Sequence, residues 1–283
     1  MAGMSSYTGI SGYVQTIYED ALTVARDNMI MPSLTLGFAD RQNDAPRTNS
    51  LYGTVTFTQV DDTDDLTSQS FNPSTYQTVT VAEQGAQVFI TDRRIENDPF
   101  GQQADATQEL GTSLAAKIEG DLVSKFSSLT GGTIGASGSA ATWGQFYAAL
   151  AIARATNAGG QWAFVCHPYY WYALGTAAAV AGGVSQTNAP QFQDDVMRRF
   201  WVGNVAGIDI YTSTFIGTGA ASVQGLFHRN AIALDVRRAP RLEVERDASR
   251  RGFELNMTAK YGSGIWRPEW GVQVVATVAA PKG

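Results

Sequence analysis

The sequence predicts an α+β fold in which strands and helices come in separate runs. Three observations carry this reading. β-rich segments stand near both ends, "SLYGTVTFTQV" and "STYQTVTVAEQGAQVFITD" early and nearly everything from Arg241 late. Between them Leu110, Leu114, Ile118, Leu122 and Phe126 recur every four residues, with Ala115 and Val123 beside them, the spacing of one helical face. A central stretch then alternates strand and helix, "QWAFVC" followed by "HPYYWYALGTAAAV".

Taken in order, residues 1–12 are small and polar without a period. "YVQTIYEDALTVARDN" places Val14, Ile17, Ala21, Val24 and Ala25 on one face of an amphipathic helix. "MIMPSLTLGFADRQNDAPRTNS" is read as an irregular connector broken by Pro32 and Pro46. In "SLYGTVTFTQV", Val55, Phe57 and Gln59 alternate with Thr54, Thr56 and Thr58; with "STYQTVTVAEQGAQVFITD" this predicts a long hairpin with a polar tip. Two strands alone are marginal in water, so such a hairpin needs a surface to rest on. Asp98-Pro99 opens the long helix and Gly131-Gly132 end it. "GGTIGASGSAAT" is read as a flexible linker. Thr142 caps the next helix, with Trp143, Phe146, Leu150 and Ile152 as its apolar positions, and Gly159-Gly160 close it. "APQFQDDVMRRFW" is a further short helix, and "VAGIDIYTSTF" and "ASVQGLFH" are strands. "RLEVERD", "GFELNMTAKYG" and "IWRPEWGVQVVATV" complete the β return, the last two as a hairpin turning near Gly262-Gly264.

The 283 residues, 44% of them apolar, suffice for one large domain or two modest ones. No run approaches the roughly 20 apolar residues of a membrane helix, and no signal peptide is read at the N-terminus. One cysteine, Cys166, excludes an internal disulfide, and with two histidines (His167, His228) it argues against a structural zinc site. The net charge of −6 is uneven: residues 1–141 carry 17 acids and 7 bases, residues 142–283 carry 9 acids and 13 bases. Halves of opposite sign either attract copies head to tail or mix on one surface. Sixteen of the twenty bases are arginines, whose planar fork suits fixed carboxylate contacts.

Several motifs invite chemistry. Asp61, Asp62, Asp64 and Asp65 form an acidic knot at the hairpin tip. It is a metal loop, a solvated tip, or a contact for a neighbour's arginines. The aspartates are too crowded for the helix–loop–helix calcium pattern. The glycines of "GGTIGASGSAAT" lack the Gly-Lys-Ser/Thr ending of a phosphate loop. Cys166 and His167 are adjacent, and neighbours on a strand point to opposite faces, so no nucleophile pair forms. "RNAIALDVRRAPRLEVERDASRR" holds seven arginines, Arg229, Arg237, Arg238, Arg241, Arg246, Arg250 and Arg251. Interrupting acids favour salt bridges at subunit contacts over tight nucleic-acid binding.

The order of elements, an arm, a long hairpin, a long helix, a central α/β region and a terminal β return, resembles the major capsid protein of tailed bacteriophages, of the Hong Kong 97-type fold. The most specific parts are "AFVCHPYYWYAL", similar to the family's strand and Asn/His-Pro-x-x-Trp helix start (His167, Pro168, Trp171), "VQGLFHRNAIAL", similar to its Gly-x-Phe segment, and "GFELNMTAKYGSGIWRPEWGVQVV", similar to its terminal hairpin, with Arg267-Pro268-Glu269. The resemblance implies an N-terminal arm at 1–48, an extended loop at 49–96, a peripheral domain with its spine helix at 97–160, an axial domain at 161–235 and return strands of the peripheral domain at 236–283. It implies a structural protein, not an enzyme, with neither cofactor nor metal. Such a protein self-assembles through hexamers and pentamers into an icosahedral shell around double-stranded DNA, contacted weakly and without sequence specificity. Implied partners are further copies of the chain, a portal protein, a decoration protein, and a scaffolding protein on a separate chain, since almost nothing precedes the first helix; no membrane is involved. The implied location is the virion, with the host cytoplasm during assembly. The type member welds neighbours through an extended-loop lysine, and residues 49–96 contain none. An encapsulin-type nanocompartment is the alternative, and an enzyme is a third reading. The expected inter-subunit contact joins Asp61, Asp62, Asp64 and Asp65 to arginines among Arg237, Arg238, Arg250 and Arg251.

Overall fold

The computed structural model describes residues 29–52, 55–62, 65, 67–97, 102–156, 158–180 and 201–281. The chain runs through α1 (Met31–Leu34), β1 (Leu36–Phe38), β2 (Arg47–Tyr52), β3 (Pro73–Val79), β4 (Ala82–Thr91), α2 (Asp92–Glu96) and α3 (Gln102–Val123), which tightens into a 3-10 turn at Ser124–Ser128. β5 (Gly132–Gly135), α4 (Trp143–Ala155), β6 (Trp162–Cys166), α5 (Pro168–Val180), β7 (Trp201–Val205), β8 (Ile208–Thr212) and β9 (Gly219–His228) follow. The return consists of β10 (Ile232–Asp247), β11 (Gly252–Ile265), a 3-10 turn at Pro268–Trp270 and β12 (Gly271–Val278).

The spine helix α3 joins two sheets. Its first half lays Ala106, Leu110 and Leu114 on Ile90, Leu242, Leu255 and Met257 of the four-stranded sheet β1-β10-β11-β4. Its second half, with the 3-10 turn, buries Ile118, Leu122, Val123 and Phe126 against Val165 and Phe227 of the six-stranded sheet β5-β12-β9-β6-β8-β7. The opposite face of that sheet carries α4 and α5: Phe146 and Leu150 meet Phe164, Tyr170, Leu174, Leu226, Val272 and Val274. Adjacent residues Phe164 and Val165, or Leu226 and Phe227, thus enter different cores, as strand alternation requires. Burial on both faces explains why "WAFVC" reads as one apolar run.

Local chemistry sets the element ends. The Thr142 hydroxyl accepts from the Gln145 amide at 3.3 Å while the Gln145 side chain returns a bond to the Thr142 amide, a capping box. His167 caps α5: its Nδ1 accepts from the Tyr169 amide at 3.0 Å and its carbonyl from the amides of Tyr170 and Trp171.

Several expectations are corrected. The connector after residue 28 holds α1, with Pro32 tolerated in its first turn, and β1, which pairs in parallel with β10. "GGTIGASGSAAT" is not a free linker, because β5 pairs in parallel with β12. β2 ends at Tyr52, and Val55–Val60 stand outside any strand; β3 pairs with β2, but β4 leaves the hairpin and pairs with β11. The last hairpin is β10–β11, turning at residues 248–251, and Gly262 and Gly264 lie inside β11. Those glycines mark a close approach, not a turn: a Cβ at Gly262 would collide with the Thr80 carbonyl, and one at Gly264 would lie 2.7 Å from Val79 Cγ2. The true turn is made by Asp247, whose Oδ1 accepts from the amides of Ser249 and Arg250, with Arg251 at φ 53°. β12, β5 and α4 belong with residues 162–228 in the six-stranded layer, so boundaries at 161 and 235 cut through one core. The helices expected at 13–28 and 189–201 lie outside the described residues, apart from Trp201, which opens β7.

Candidate subunit-contact site

The extended loop is rooted in a buried ionic node. Asp235 on β10, 0% exposed, accepts from Arg47 Nε at 2.9 Å and from Arg237 through Nε at 3.0 Å and Nη2 at 2.7 Å. Arg237 spends its other donors on the carbonyls of Asn43, at 2.6 Å, and Ala45, at 3.2 Å. Arg47 also pairs with Asp40 and lies over the Phe38 ring at 4.1 Å, and that ring packs on Trp266 at 5.1 Å. The Asn49 side chain donates to the Trp266 carbonyl at 2.8 Å. Ion pairs with their donors saturated are directional, so the node sets the angle at which β2 leaves the body.

Arg237 is thereby removed from the expected neighbour contacts: its side chain is buried and consumed by its own subunit. Along β10, Asp235 and Arg237 face inward together, while Arg238 points outward and pairs with Glu83. Sequence reasoning missed the node. Its signal was Asp235 itself, an acid inside the apolar run "AIALDV", since a buried acid needs a partner.

Beyond the root, no core lies beneath the loop among the described residues. Phe57 is 100% exposed, and Tyr52, Val55 and Phe71 are each more than half exposed. Tyr52 and Phe71 stack at 4.6 Å with planes 8° apart. Thr56 and Gln69 hold the two limbs together: the Thr56 amide donates to Gln69 Oε1 at 3.1 Å and Gln69 Nε2 to the Thr56 carbonyl at 2.7 Å. A limb with β alternation and, among the described residues, no partner strand leaves its apolar side open. At the tip Asp61, Asp62 and Asp65 are exposed, and among the described residues none of the three pairs with a cation of its own chain; Asp64 lies outside the described residues.

The remaining arginines sit elsewhere. Arg250 pairs with Glu254 at 3.2 Å and lies over the Phe89 ring at 4.3 Å, and Arg251 is exposed in the same turn. Asp235 and this turn mark opposite ends of β10, roughly 40 Å apart at 3.3 Å per residue. Among the described residues no ion pair joins the acidic tip to the arginine turn within one chain.

The other chemical candidates are used structurally. Cys166 is fully buried, burial pushes its thiol well up from the usual range, and Sγ faces the Tyr211 carbonyl at 3.8 Å. His167 spends Nδ1 on its helix cap. Among the described residues no group of three or more His, Cys, Asp or Glu is placed to hold a metal, and no helix is long and apolar enough to cross a membrane.

One comparison decides the family. A family model described as phage capsid protein matches residues 75–274, from the second strand of the extended loop to the middle of β12. The chain belongs to the phage capsid protein family. The fold of this capsid protein is similar to solved structures despite low identity. Mycobacterium phage Che8 aligns at 16% identity, with 87% of this chain and 90% of that chain covered and a TM-score of 0.66. The capsid of cyanophage P-SCSP1u gives 15%, 89%, 89% and 0.66. A virus-like particle from Pyrococcus furiosus gives 10%, 93%, 99% and 0.62. No curated protein matches the chain. The Hong Kong 97-type α+β fold expected from the sequence is the fold of this capsid protein.

Within the family the quoted motifs acquire packing roles. Gly225 of the Gly-x-Phe segment receives the Phe126 ring, 2.7 Å from where a Cβ would stand, and Phe227 lies 5.4 Å from that ring. The backbone around Arg267-Pro268-Glu269 anchors the end of the spine: the Thr130 amide donates to the Pro268 carbonyl at 2.8 Å and the Gly131 amide to the Gly271 carbonyl at 2.9 Å.

Proposed function

We propose that this capsid protein closes into an icosahedral shell through hexamers and pentamers of itself, enclosing double-stranded DNA in the virion. The observation that carries this is the extended loop, rooted by a buried ionic node and bare beyond it, with Phe57 wholly exposed. A segment so firmly aimed and so poorly covered gains its stability from another copy, and many modest contacts then add through multivalency. Residues 1–48 serve as the arm. The four-stranded sheet with α3 serves as the peripheral domain, and the six-stranded sheet with α4 and α5 as the axial domain.

The acidic tip is assigned to a neighbour's arginines, Arg238, Arg250 and Arg251. The charge asymmetry of the chain and the absence, among the described residues, of ion pairs between these groups within one subunit support the assignment. A separate scaffolding protein, a portal and a decoration protein are the expected partners. DNA is expected to meet the shell weakly, because the arginines of β10 and of the turn that follows it are largely committed to carboxylates. Assembly is expected to take place in the host cytoplasm. The nanocompartment reading shares the fold, and the family match favours the capsid.

Micrographs and light scattering of the purified chain, with scaffolding protein supplied, test the reading. Closed particles are expected, with nucleic acid inside those recovered from infected cells. A stable monomer of 30.3 kDa, or particles filled with protein cargo, would overturn it.

A further inference from the structure

The buried node at the root of the extended loop holds more cation than its acid requires. Arg237 by itself satisfies Asp235: Nε meets Oδ1 at 3.0 Å and Nη2 meets Oδ2 at 2.7 Å, the two-pronged pairing of guanidinium with carboxylate. Both groups belong to β10, and both side chains are fully buried. Arg47 then adds a third hydrogen bond, from Nε to the same Oδ2 at 2.9 Å. Its own charge is balanced from the surface by Asp40, whose side chain is 62% exposed. Burying a charge is costly. A second buried arginine at a carboxylate already neutralised therefore has a use other than charge.

Its position supplies that use. Arg47 is the first residue of β2 and stands in register with Val79 on β3. The β3 limb is fixed by fit: Val79 is fully buried against Gly264, and the Thr80 carbonyl occupies the space over Gly262. Contact along one limb leaves a hinge about that limb. The β2 limb closes it through Arg47, which is held at once by Asp235, by Asp40 and by the face of the Phe38 ring. Asn49 adds one bond to the Trp266 carbonyl. The lever is long, since Gln59 stands up to about 40 Å from Arg47 at about 3.3 Å per residue. A swing of about 10° at the root would then carry it sideways by about 7 Å, more than twice the length of a hydrogen bond.

We propose that the two arginines divide the work of the node, with Arg47 as the positioning residue that aims the extended loop at its neighbour. Arg237 neutralises Asp235 and ties down the connector through the carbonyls of Asn43 and Ala45. What the aim serves rests on the shell reading; the aim itself is a property of the single subunit.

Spin labels at Gln59→Cys and Gln108→Cys, in the full chain kept as free subunits, report the angle between loop and spine helix. Both positions are exposed, and Cys166 is fully buried. The background with Arg47 intact is expected to give one narrow distance distribution. Arg47→Met keeps an apolar stem beside Phe38 and is expected to broaden the distribution by about 7 Å, with the thermal midpoint within about 4 °C of the parent. Its yield of closed particles should fall about tenfold, because misdirected contacts no longer add. Arg47→Lys should behave like Arg47→Met, since an ammonium keeps the charge and loses the planar bridge. Arg237→Met leaves Asp235 one bond from Arg47 and strips the two carbonyls, so its midpoint should fall by about 10 °C. A broad distribution with Arg47 intact, a narrow one in Arg47→Met, parent behaviour in Arg47→Lys, equal midpoint losses in Arg47→Met and Arg237→Met, or normal particles from Arg47→Met would each overturn the proposal. Absence of particles from the parent chain would count against the shell reading alone, and the broadening would still establish the aim.

Discussion

Single residues in this capsid protein act mainly by geometry. His167 is a helix cap whose Nδ1 must stay unprotonated to accept the Tyr169 amide. Asparagine can place an oxygen where that nitrogen stands. His167→Ala should therefore cost about 0.5–2 kcal/mol in urea unfolding, while His167→Asn should stay near wild type. Burial also lowers the pKa of both His167 and His228 below the ordinary histidine value. A depressed folded pKa contributes stability that is present above about pH 6.5 and is lost as pH falls through the folded value. The acid side of the profile should be shallower in His167→Asn. At Gly225 the constraint is space, since the Phe126 ring occupies the place of a Cβ. Gly225→Ala should destabilise by about 1–3 kcal/mol through overpacking, and a melting temperature equal to wild type would refute the packing role.

At the scale of elements, the spine helix connects three parts of the molecule, and Glu119 is its chemical tie. The carboxylate accepts the Ile30 and Met31 amides and the Ser213 hydroxyl, with no cation among these partners. Burial raises its pKa, and the three hydrogen bonds pull the other way. The sign follows from linkage: between the ordinary value of 4.5 and the raised folded value, the folded state holds more protons than the unfolded. Glu119 thus contributes stability that is complete below about pH 4.5 and is lost as pH rises through the folded value. Glu119→Gln can accept the two amides and donate to Ser213. Chemical denaturation across pH 4–8 should show this slope reduced in the variant while the fold is retained.

For the whole molecule, the proposed contact between the acidic tip and a neighbour's arginine turn makes the charge pattern testable as an assembly rule. Asp62→Arg with Asp65→Arg should leave the subunit folded and block shell formation. Adding Arg250→Glu and Arg251→Glu to the same chain should restore part of it, as counted in micrographs. Assembly of the wild type should weaken between low salt and about 1 M, as screening shortens the reach of exposed pairs to about 3 Å. Mature particles boiled in denaturant should run as single chains, because residues 49–96 contain no lysine to weld neighbours; a ladder of multimers would contradict this.

Much of this was legible without coordinates, because period is a property of sequence. Leu110, Leu114, Ile118, Leu122 and Phe126 were recognisable as one apolar helical face, Thr142 as a cap, and "QWAFVC" as a buried strand. The halves of opposite charge were equally plain. Strand partners were not, since pairing depends on which surfaces meet, and composition does not record that. Gly262 and Gly264 looked like a turn and are flat spots for a crossing backbone. β4 and β12 looked like hairpin partners of their neighbours in sequence and pair instead with β11 and with β5 and β9. Arg237 and Arg238 are adjacent and chemically identical, yet one is locked to Asp235 and the other faces solvent. Only the tertiary structure could separate them, because desolvation is decided by what covers a side chain, and that cover comes from residues about 190 positions away in the chain.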